Sequence, residues 1–377
     1  METKFGLSTP YSIGIEEEYQ ILDAETLQLV SRIEPILAEF DGDSVGSRIK
    51  PELMQSVVEA ATKIGRCVDE AVDDLADLRC RLRRAAGEHD ALIVSAGTHP
   101  FSHYDDQSLT ARPRYAELAD SLGWLADREI VFGLHIHIGM SSADKAVACA
   151  DGLRAFLPEL LAISANSPFW QGRLTGLAST RTTVFSNLPR AGLPPILGSF
   201  DEFEALVEAG VRTGCFPDYT CIWWDIRPHP RYGTVEVRIC DAQTRIESVA
   251  AITALVQSLA AMLGSRFECE APVAVGPTFL LEENRWRAAR DGLEATLIDV
   301  ERDTDRSARA AIEELLVSCE PFAEALGCAG ELDSVEQLLQ RGNGADEQRR
   351  LYESTQSLLD VTQALADATI PQQLSSR

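Results

Sequence analysis

A run of three consecutive glutamates between apolar residues constrains this chain more than any other feature. The residues around the run, from Ile13 to Tyr19, favour a β-strand, in which successive side chains point to opposite faces. Glu16 and Glu18 would then share one face, and Glu17 would point to the other. Two carboxylates about 4 Å apart repel each other by about 4 kcal/mol at an effective dielectric constant of about 20. A buried strand therefore needs a cation, an arginine or a retained proton here, whereas an edge strand would leave the acids in water.

A second polar row is predicted in residues 131–140, which alternate as a strand does. Every second residue from 132 to 140 is apolar, and the opposite face carries His135 and His137 between glycines. Glycines beside the histidines leave room for a ligand to approach the strand closely. The alternative is that both histidines are hydrogen-bonded surface residues.

Two further segments add acids. Glu52 and Glu59 are seven positions apart, so a regular strand would place them on opposite faces. For both to serve one site, Glu52 must lie in the preceding loop or a bulge must intervene. Residues 221–241 predict a hairpin around a Pro/Gly-rich turn, with Glu236 and Arg238 on one face. The alternative for this last pair is an exposed ion pair of little energetic value.

The composition excludes nucleic acid as the main partner. The 377 residues carry a formal net charge of −25, whereas phosphate backbones need a basic surface. Nine cysteines occur without a C-x-x-C pair, which disfavours a zinc ribbon and fits reduced thiols. The first residues lack a basic segment followed by an apolar one, and no uninterrupted apolar run is long enough to span a membrane. We therefore expect a cytoplasmic protein without a membrane partner.

The coarse secondary structure predicts an α+β fold. Strand-like segments lie in the first two thirds of the chain without regular interleaving with helices, which favours an antiparallel or mixed β-sheet with helices on one face. We expect a single domain over 1–377, with a sheet-forming region at about 1–266 and a helical region at about 267–377. The stretch 167–199 has little periodicity, and we expect a long ordered loop or lid there. The predicted helices cover about 32–40, 66–88, 113–126, 142–165, 201–213, 244–266, 283–294, 305–326, 331–341 and 345–368.

Together these segments predict a site for hard divalent cations. The polar residues collected on strand faces or beside them are Glu16, Glu18, Glu52, Glu59, His135, His137, Glu236 and Arg238. Several carboxylates with an imidazole suit Mg²⁺ or Mn²⁺, and zinc is disfavoured because no cysteine lies near the histidines. Arg238 is suited to stabilise charge on a transferring phosphoryl group. The chain has neither a P-loop nor a G-x-G-x-x-G after a strand, so ATP would be held mainly by metal ions and arginines.

Four motifs in order along the chain resemble the glutamate–cysteine ligase type 2 family. They are Gly14–Tyr19, Glu52–Glu59, Gly133–Gly139 and Arg227–Asp241. The resemblance implies an ATP-dependent carboxylate–amine ligase, distantly similar to glutamine synthetase. It also implies a catalytic domain like that of glutamine synthetase, built on a funnel-shaped antiparallel sheet lined by acids. In such enzymes ATP phosphorylates a carboxylate, typically the γ-carboxyl of glutamate, and an amine attacks the acyl phosphate to form an amide.

The resemblance also implies a role for each matching residue. Glu18, Glu52 and Glu59 would hold one Mg²⁺. Glu16, His135 and Glu236 would hold another. Arg238 would bind the phosphates and act in catalysis together with Glu59, while His137 would support the metal ligands or contact substrate. Asn166, Arg181 and Arg227 are candidates for binding substrate or nucleotide, and Glu17 should be structural.

The function expected from the resemblance is ligation of glutamate to cysteine with ATP and Mg²⁺ or Mn²⁺. Its partners would be a small carboxylate and a small amine, and a homodimer is compatible with the family. Three alternatives remain open at this stage. The chain is a ligase for another acid and amine pair, a metal-dependent hydrolase, or a non-catalytic protein on a ligase-like scaffold.

Overall fold

A computed structural model describes residues 1–271 and 275–370. The strands are β1 (Ile13–Asp23), β2 (Ile49–Pro51), β3 (Val57–Ala61), β4 (Ala91–Val94), β5 (Leu134–Gly139), β6 (Phe169–Trp170), β7 (Arg173–Leu174), β8 (Ala191–Gly192), β9 (Trp223–Trp224), β10 (Ile226–His229), β11 (Thr234–Val237), β12 (Thr296–Asp299) and β13 (Thr304–Ser307). The helices are α1 (Ile33–Ala38), α2 (Val68–Gly87), α3 (Pro113–Leu122), α4 (Trp124–Asp127), α5 (Ala143–Leu153), α6 (Leu157–Ser164), α7 (Thr180–Phe185), α8 (Phe200–Arg212), α9 (Ile246–Glu268), α10 (Thr278–Asp291), α11 (Ala308–Leu326), α12 (Ala329–Arg341), α13 (Gly344–Thr355) and α14 (Leu358–Thr369).

The longest strand, β1, lies in the middle of a seven-stranded antiparallel sheet. The strand order is β10-β11-β5-β1-β3-β2. One edge of β1 pairs with β3, while the other edge pairs first with β5 and then with β4. The strand that carries the three glutamates is therefore bonded to three neighbours, which rules out a solvated edge strand.

One face of this sheet is apolar and packs against helices. Ile15 on β1, Ile136 on β5 and Val237 on β11 belong to one hydrophobic cluster that also contains residues of α9 and α12. These side chains come from alternate strand positions, as a half-buried sheet requires. The packing leaves the opposite, polar face of the same strands free to form a site.

Helix α9 is the central core helix. By length and average hydropathy it would be able to cross a membrane, although polar residues interrupt its apolar sequence. Inside the fold, 83% of its most apolar window is buried. Its apolarity on nearly all sides is therefore explained by burial between the sheet and the C-terminal helices.

The predicted α+β class and antiparallel sheet are confirmed, with differences in detail. The predicted helix 142–165 is two helices, α5 and α6, and the predicted helix 345–368 is α13 and α14, which Gln356 separates in a left-handed conformation. The region predicted to be only helical contains the hairpin β12–β13. The assignment of the chain to one domain stays a prediction.

Candidate functional site

The polar residues of the sheet meet because of the strand register. The paired positions are Glu16 with His135, Glu18 with Glu59, His137 with Glu236, Arg227 with Glu236, and Lys50 with Glu59. Directly paired residues on one face have neighbouring side chains. The sheet thereby places acids, imidazoles and basic groups from β1, β2, β3, β5, β10 and β11 side by side.

The tightest cluster consists of Glu16, His137 and Glu236, whose potential ligand atoms all lie within 4.8 Å of one another. The Nε2 atom of His137 lies 3.6 Å from Glu16 Oε2 and 3.8 Å from Glu236 Oε1. This nitrogen is buried and has no hydrogen-bond partner among the described residues. The other ring nitrogen, Nδ1, contacts Thr234 Oγ1 at 3.0 Å, which fixes the orientation of the ring.

Strong charge contacts keep the two carboxylates of this cluster ionised. Burial would raise the pKa of Glu236, but Arg227 and Arg238 outweigh it and hold the pKa well below its usual range. Burial likewise opposes ionisation of Glu16, and the nearby rings of His135 and His137 hold its pKa well below its usual range. Two ionised oxygens and an unpaired imidazole nitrogen form a donor set that suits Mg²⁺ or Mn²⁺.

A second acidic group lies beside the first. Glu52 follows β2 in a loop, one of the two placements that would let it share a site with Glu59. Burial raises the pKa of Glu52 well above its usual range, and the charges of Glu59 and Glu18 add to the effect. Burial, together with Glu16, raises the pKa of Glu59 to about 7 even though Lys50 works against it. The surrounding side chains do not supply enough positive charge for these acids, which therefore tend to keep their protons unless a cation replaces them.

Arg238 and His135 lie next to the first cluster. Arg238 donates a hydrogen bond to Glu236, its Nη1 lies 3.4 Å from His135 Nδ1, and its buried Nε has no partner among the described residues. Burial and the charge of Arg238 lower the pKa of His135, so its ring stays neutral. His135 Nδ1 is 3.9 Å from Glu16. The structure thus brings His137 into the tightest cluster, whereas the resemblance named His135 as the ligand.

Arg181 holds the backbone that carries Arg238. Its guanidinium donates to the backbone carbonyls of Arg238 and Ile239 at 3.2 Å each. A Cβ at Gly133 would collide with the Arg181 guanidinium and lie 2.8 Å from His135 Nε2. Glycine at this position therefore allows the arginine and the histidine to approach the same point of the strand.

Two of the predicted substrate-binding residues have their polar atoms occupied by the protein. Arg227 donates to Glu236 Oε2 at 2.7 Å and to carbonyls in the segment before β9, so it holds Glu236 in place. The Asn166 amide nitrogen donates to Ala242 O and Thr244 Oγ1, and its oxygen accepts from Gln348 at 2.8 Å. Asn166 has no free donor, and its geometry favours a structural role over the predicted contact with substrate.

The predicted loop or lid over 167–199 is partly built into the core. Ser179 caps α7 and is buried, and its hydroxyl donates to Asp241 at 2.8 Å. Ser167 donates to the same carboxyl group at 2.7 Å. The segment also forms β6, β7, α7 and β8. Residues 178–182 are buried, so they cannot open and close over a site as a lid would.

Several neighbours of the site were not anticipated from the sequence. Lys50 lies 2.8 Å from Glu59 and 3.9 Å from Glu16. His229 and Tyr232 stack at 4.2 Å, and each meets the His137 ring edge-on. Glu129 is close enough to Glu18 that burial and this charge together raise its pKa to about 8. Of these neighbours, Lys50 alone had a signal in the sequence that could have drawn attention to it, because lysine is scarce in this chain.

Comparisons with known proteins identify the family and support the fold. The profile of the family described as Glutamate-cysteine ligase family 2 (GCS2) matches residues 12–365. A protein of Rubrobacter xylanophilus named "Putative glutamate--cysteine ligase 2-3" is 44% identical over 98% of this chain and 100% of its own length. One of Sorangium cellulosum named "Putative glutamate--cysteine ligase 2" is 40% identical over 96% of both chains. This chain therefore belongs to glutamate–cysteine ligase family 2.

Solved structures support the fold. A glutamate–cysteine ligase from Francisella tularensis, solved in complex with AMP, superposes with a TM-score of 0.70 over 100% of this chain and 92% of its own, at 14% identity. A bifunctional glutathione synthetase from Pasteurella multocida gives a TM-score of 0.69 over 96% of this chain and 53% of its own, also at 14% identity. At such low identity, these matches establish the shared architecture alone.

Proposed function

We propose that this protein is an ATP-dependent carboxylate–amine ligase that joins L-glutamate to L-cysteine through an acyl phosphate. The observation that carries the proposal is the buried Nε2 of His137, which lies between Glu16 and Glu236 and has no hydrogen-bond partner in the described part of the chain. The family and the names of the relatives support the ligase class, and the AMP in the Francisella structure supports the use of an adenine nucleotide.

The first cluster fits one divalent ion, and the family resemblance implies a second ion beside it. Glu16, His137 and Glu236 would hold one, with His135 as the neighbouring candidate, and Glu18, Glu52 and Glu59 would hold the other. Bound Mg²⁺ or Mn²⁺ would supply positive charge that neutralises the triphosphate and draws two anionic substrates together. The donor set of oxygens and one imidazole supports this choice of metal.

Three arginines would place positive charge near the phosphoryl group or hold the residues that do so. Arg238 Nε has no partner within residues 1–271 and 275–370, so it can donate to the phosphoryl group as that group moves from ATP to the carboxylate. Arg227 fixes Glu236, and Arg181 fixes the backbone of Arg238. The carboxylate oxygen attacks the terminal phosphorus and ADP leaves. The amine then attacks the acyl carbon and phosphate leaves.

Two further proposals concern the whole chain. All nine cysteines are free, which supports a reducing, cytoplasmic location. One hydrophobic cluster contains side chains from β1, β5, α9, α11 and α12, which supports a single domain. Both proposals agree with an enzyme that acts on small soluble substrates.

The test is an assay of ADP and phosphate release from Mg-ATP, with glutamate present and a panel of amines added in turn. We expect ADP release to require glutamate and an amine, with γ-glutamylcysteine detected by mass spectrometry in amounts equal to ADP. A different amide would retain the ligase and change the substrate. Hydrolysis of simple esters or amides without ATP would contradict the proposal and favour the metal-dependent hydrolase.

A further inference from the structure

Lys50 lies where the two acidic groups meet. It faces Glu59 across the β2–β3 pair, and its Nζ is 2.8 Å from Glu59 Oε1 and 3.9 Å from Glu16 Oε1. Its side chain is 41% exposed, whereas those of Glu59 and Glu16 are 9% and 15% exposed. The ammonium group therefore lies on the solvent side of two largely buried carboxylates.

Each of these carboxylates belongs to a different proposed metal-binding set. Mg²⁺ binds a carboxylate oxygen at about 2.0–2.1 Å and tolerates little distortion of its ligands. An ammonium group hydrogen-bonded to the same carboxylate would repel the ion and would occupy an oxygen that the ion needs as a ligand. Lys50 and a divalent ion therefore compete for Glu59.

The stem of Lys50 allows the ammonium to move. Lysine carries its charge on a flexible four-carbon chain with three rotatable donors, unlike the planar fork of arginine. Half-exposure leaves room on the solvent side, while the backbone of β2 keeps the residue at the mouth of the site. Once the ion binds Glu59, the displaced ammonium lacks an anionic partner. An anionic substrate would supply that partner.

We propose that Lys50 is the counter-ion of the metal-free site, that metal binding displaces it from Glu59, and that the displaced ammonium then binds the acid substrate. The inference rests on the proposed function, because it takes Glu59 as a metal ligand. It adds a substrate-binding residue and gives the order of events: the metal binds first, and the affinity for the acid substrate rises as a result.

The proposal predicts effects of opposite sign from one substitution. Removing the ammonium in Lys50→Met removes the competitor, so the affinity for a divalent ion should rise. The same change removes a contact with the carboxylate substrate, so its KM should also rise. A residue that only stabilised the fold or oriented Glu59 would weaken both interactions.

The experiment measures Mn²⁺ binding to the full chain by electron paramagnetic resonance, without nucleotide or substrate, together with the KM for glutamate. We expect Lys50→Met to bind Mn²⁺ about tenfold more tightly and to raise the KM about tenfold, each about 1.4 kcal/mol. Lys50→Arg keeps the charge and should bind Mn²⁺ within about threefold of wild type. Lys63→Met is the matched control, because it removes the same charge from an exposed lysine whose Nζ lies 3.6 Å from Asp74. It should leave both quantities unchanged.

Each outcome decides a part of the proposal. Unchanged or weaker Mn²⁺ binding in Lys50→Met overturns the counter-ion role, and an unchanged KM overturns the substrate contact. If Lys50→Met does not fold, Lys50→Gln tests the same two effects. Failure of the proposed function itself is seen separately, since wild type would then bind no Mn²⁺ or release no ADP.

Discussion

Glutamates on the two faces of β1 have opposite surroundings. On the core face, Glu17 is completely buried and accepts bonds from Arg79 at 2.6 and 2.9 Å and from Ser95 at 2.9 Å. Arg79 also donates to the carbonyls of Thr244 and Thr369, so the pair joins α2, β1 and the end of α14. On the other face, Glu16 and Glu18 share their surroundings with further acids.

The difference between the faces is one of charge balance. Glu17 has a cation of its own, and its hydrogen bonds are made inside the protein. Glu52 and Glu59 have raised pKa values because burial and neighbouring acids outweigh the one lysine nearby. A buried ion pair is neutralised within the protein, whereas several buried acids without enough neighbouring cations favour the binding of a metal ion. The three adjacent glutamates therefore divide into one that is paired inside the core and two that lie at the candidate metal site.

The largest expected effect is on the core face. Glu17→Gln leaves Arg79 as a buried charge without its carboxylate, which should cost about 3–5 kcal/mol of unfolding free energy. Urea denaturation of the metal-free protein measures this loss. Glu18→Gln is the matched control on the other face and should change the stability by less than about 1 kcal/mol. Equal losses in the two variants would contradict the distinction between the faces.

The next effect is on activity at the polar face. Glu16→Gln and Glu18→Gln should each lower kcat/KM for ADP formation at least about 100-fold, or about 2.7 kcal/mol, because each removes a charged ligand from a metal site. Both variants should fold, as judged by circular dichroism and denaturation. A folded Glu16→Gln variant with full activity would remove Glu16 from the site.

The pH dependence of stability gives a third prediction. The folded protein holds the pKa of Glu59 at about 7, above its ordinary value of 4.5, so the folded state binds the proton more tightly than the unfolded state. Glu59 should therefore contribute a loss of stability to the metal-free protein as the pH rises from about 4.5 to about 7, by at most about 3 kcal/mol. Glu52 acts in the same direction.

Thermal unfolding with EDTA at about pH 5.5 and about pH 8 measures this loss. Mg²⁺ should restore the Tm at the higher pH, since it binds the deprotonated acids. Glu59→Gln should flatten the pH dependence. Buried His99 and His229, whose pKa values are lowered to about 4 and about 3, act in the opposite direction below about pH 6.5, so the contribution of Glu59 is the difference between wild type and Glu59→Gln. An equal pH dependence of the Tm in the two proteins would contradict a raised pKa at Glu59.

The smallest effect separates the two histidines. His137→Gln should weaken Mn²⁺ binding about tenfold, or about 1.4 kcal/mol, because Nε2 lies between two carboxylates. His135→Gln should weaken it less, and should instead change the KM for ATP through its contact with Arg238. The reverse order in a calorimetric titration would return the ligand role to His135, as the sequence resemblance had it.

Much of this site could be predicted from the sequence. Alternation alone separated Glu17 from Glu16 and Glu18, because a strand has only two faces. The seven-residue spacing meant that, for Glu52 and Glu59 to serve one site, Glu52 had to lie in the preceding loop or a bulge had to intervene, and Glu52 lies in a loop. The motifs around His137 and Glu236 carry one apolar and one polar face each, so alternation alone predicts that their polar side chains lie on the face turned away from the core.

What could not be predicted depends on register and on distant partners. His135 and His137 share a face, and only the register shows that His137 lies opposite Gly14 and next to Glu236. Lys50 lies in a three-residue strand whose own sequence does not fix its pairing with Glu59. The structural role of Asn166 depends on Gln348, which lies far away in the chain. The hairpin β12–β13 is short and largely exposed, so it has little apolar alternation.

The most direct test of the central claim is anomalous diffraction from crystals grown with Mn²⁺. The charge surplus on the polar face of β1 predicts one peak bounded by Glu16, His137 and Glu236, and a second bounded by Glu18, Glu52 and Glu59. It also predicts that Lys50 has moved away from Glu59. If no anomalous peak appears at either place and the carboxylates keep their metal-free contacts, the assignment of this face as a metal site is contradicted.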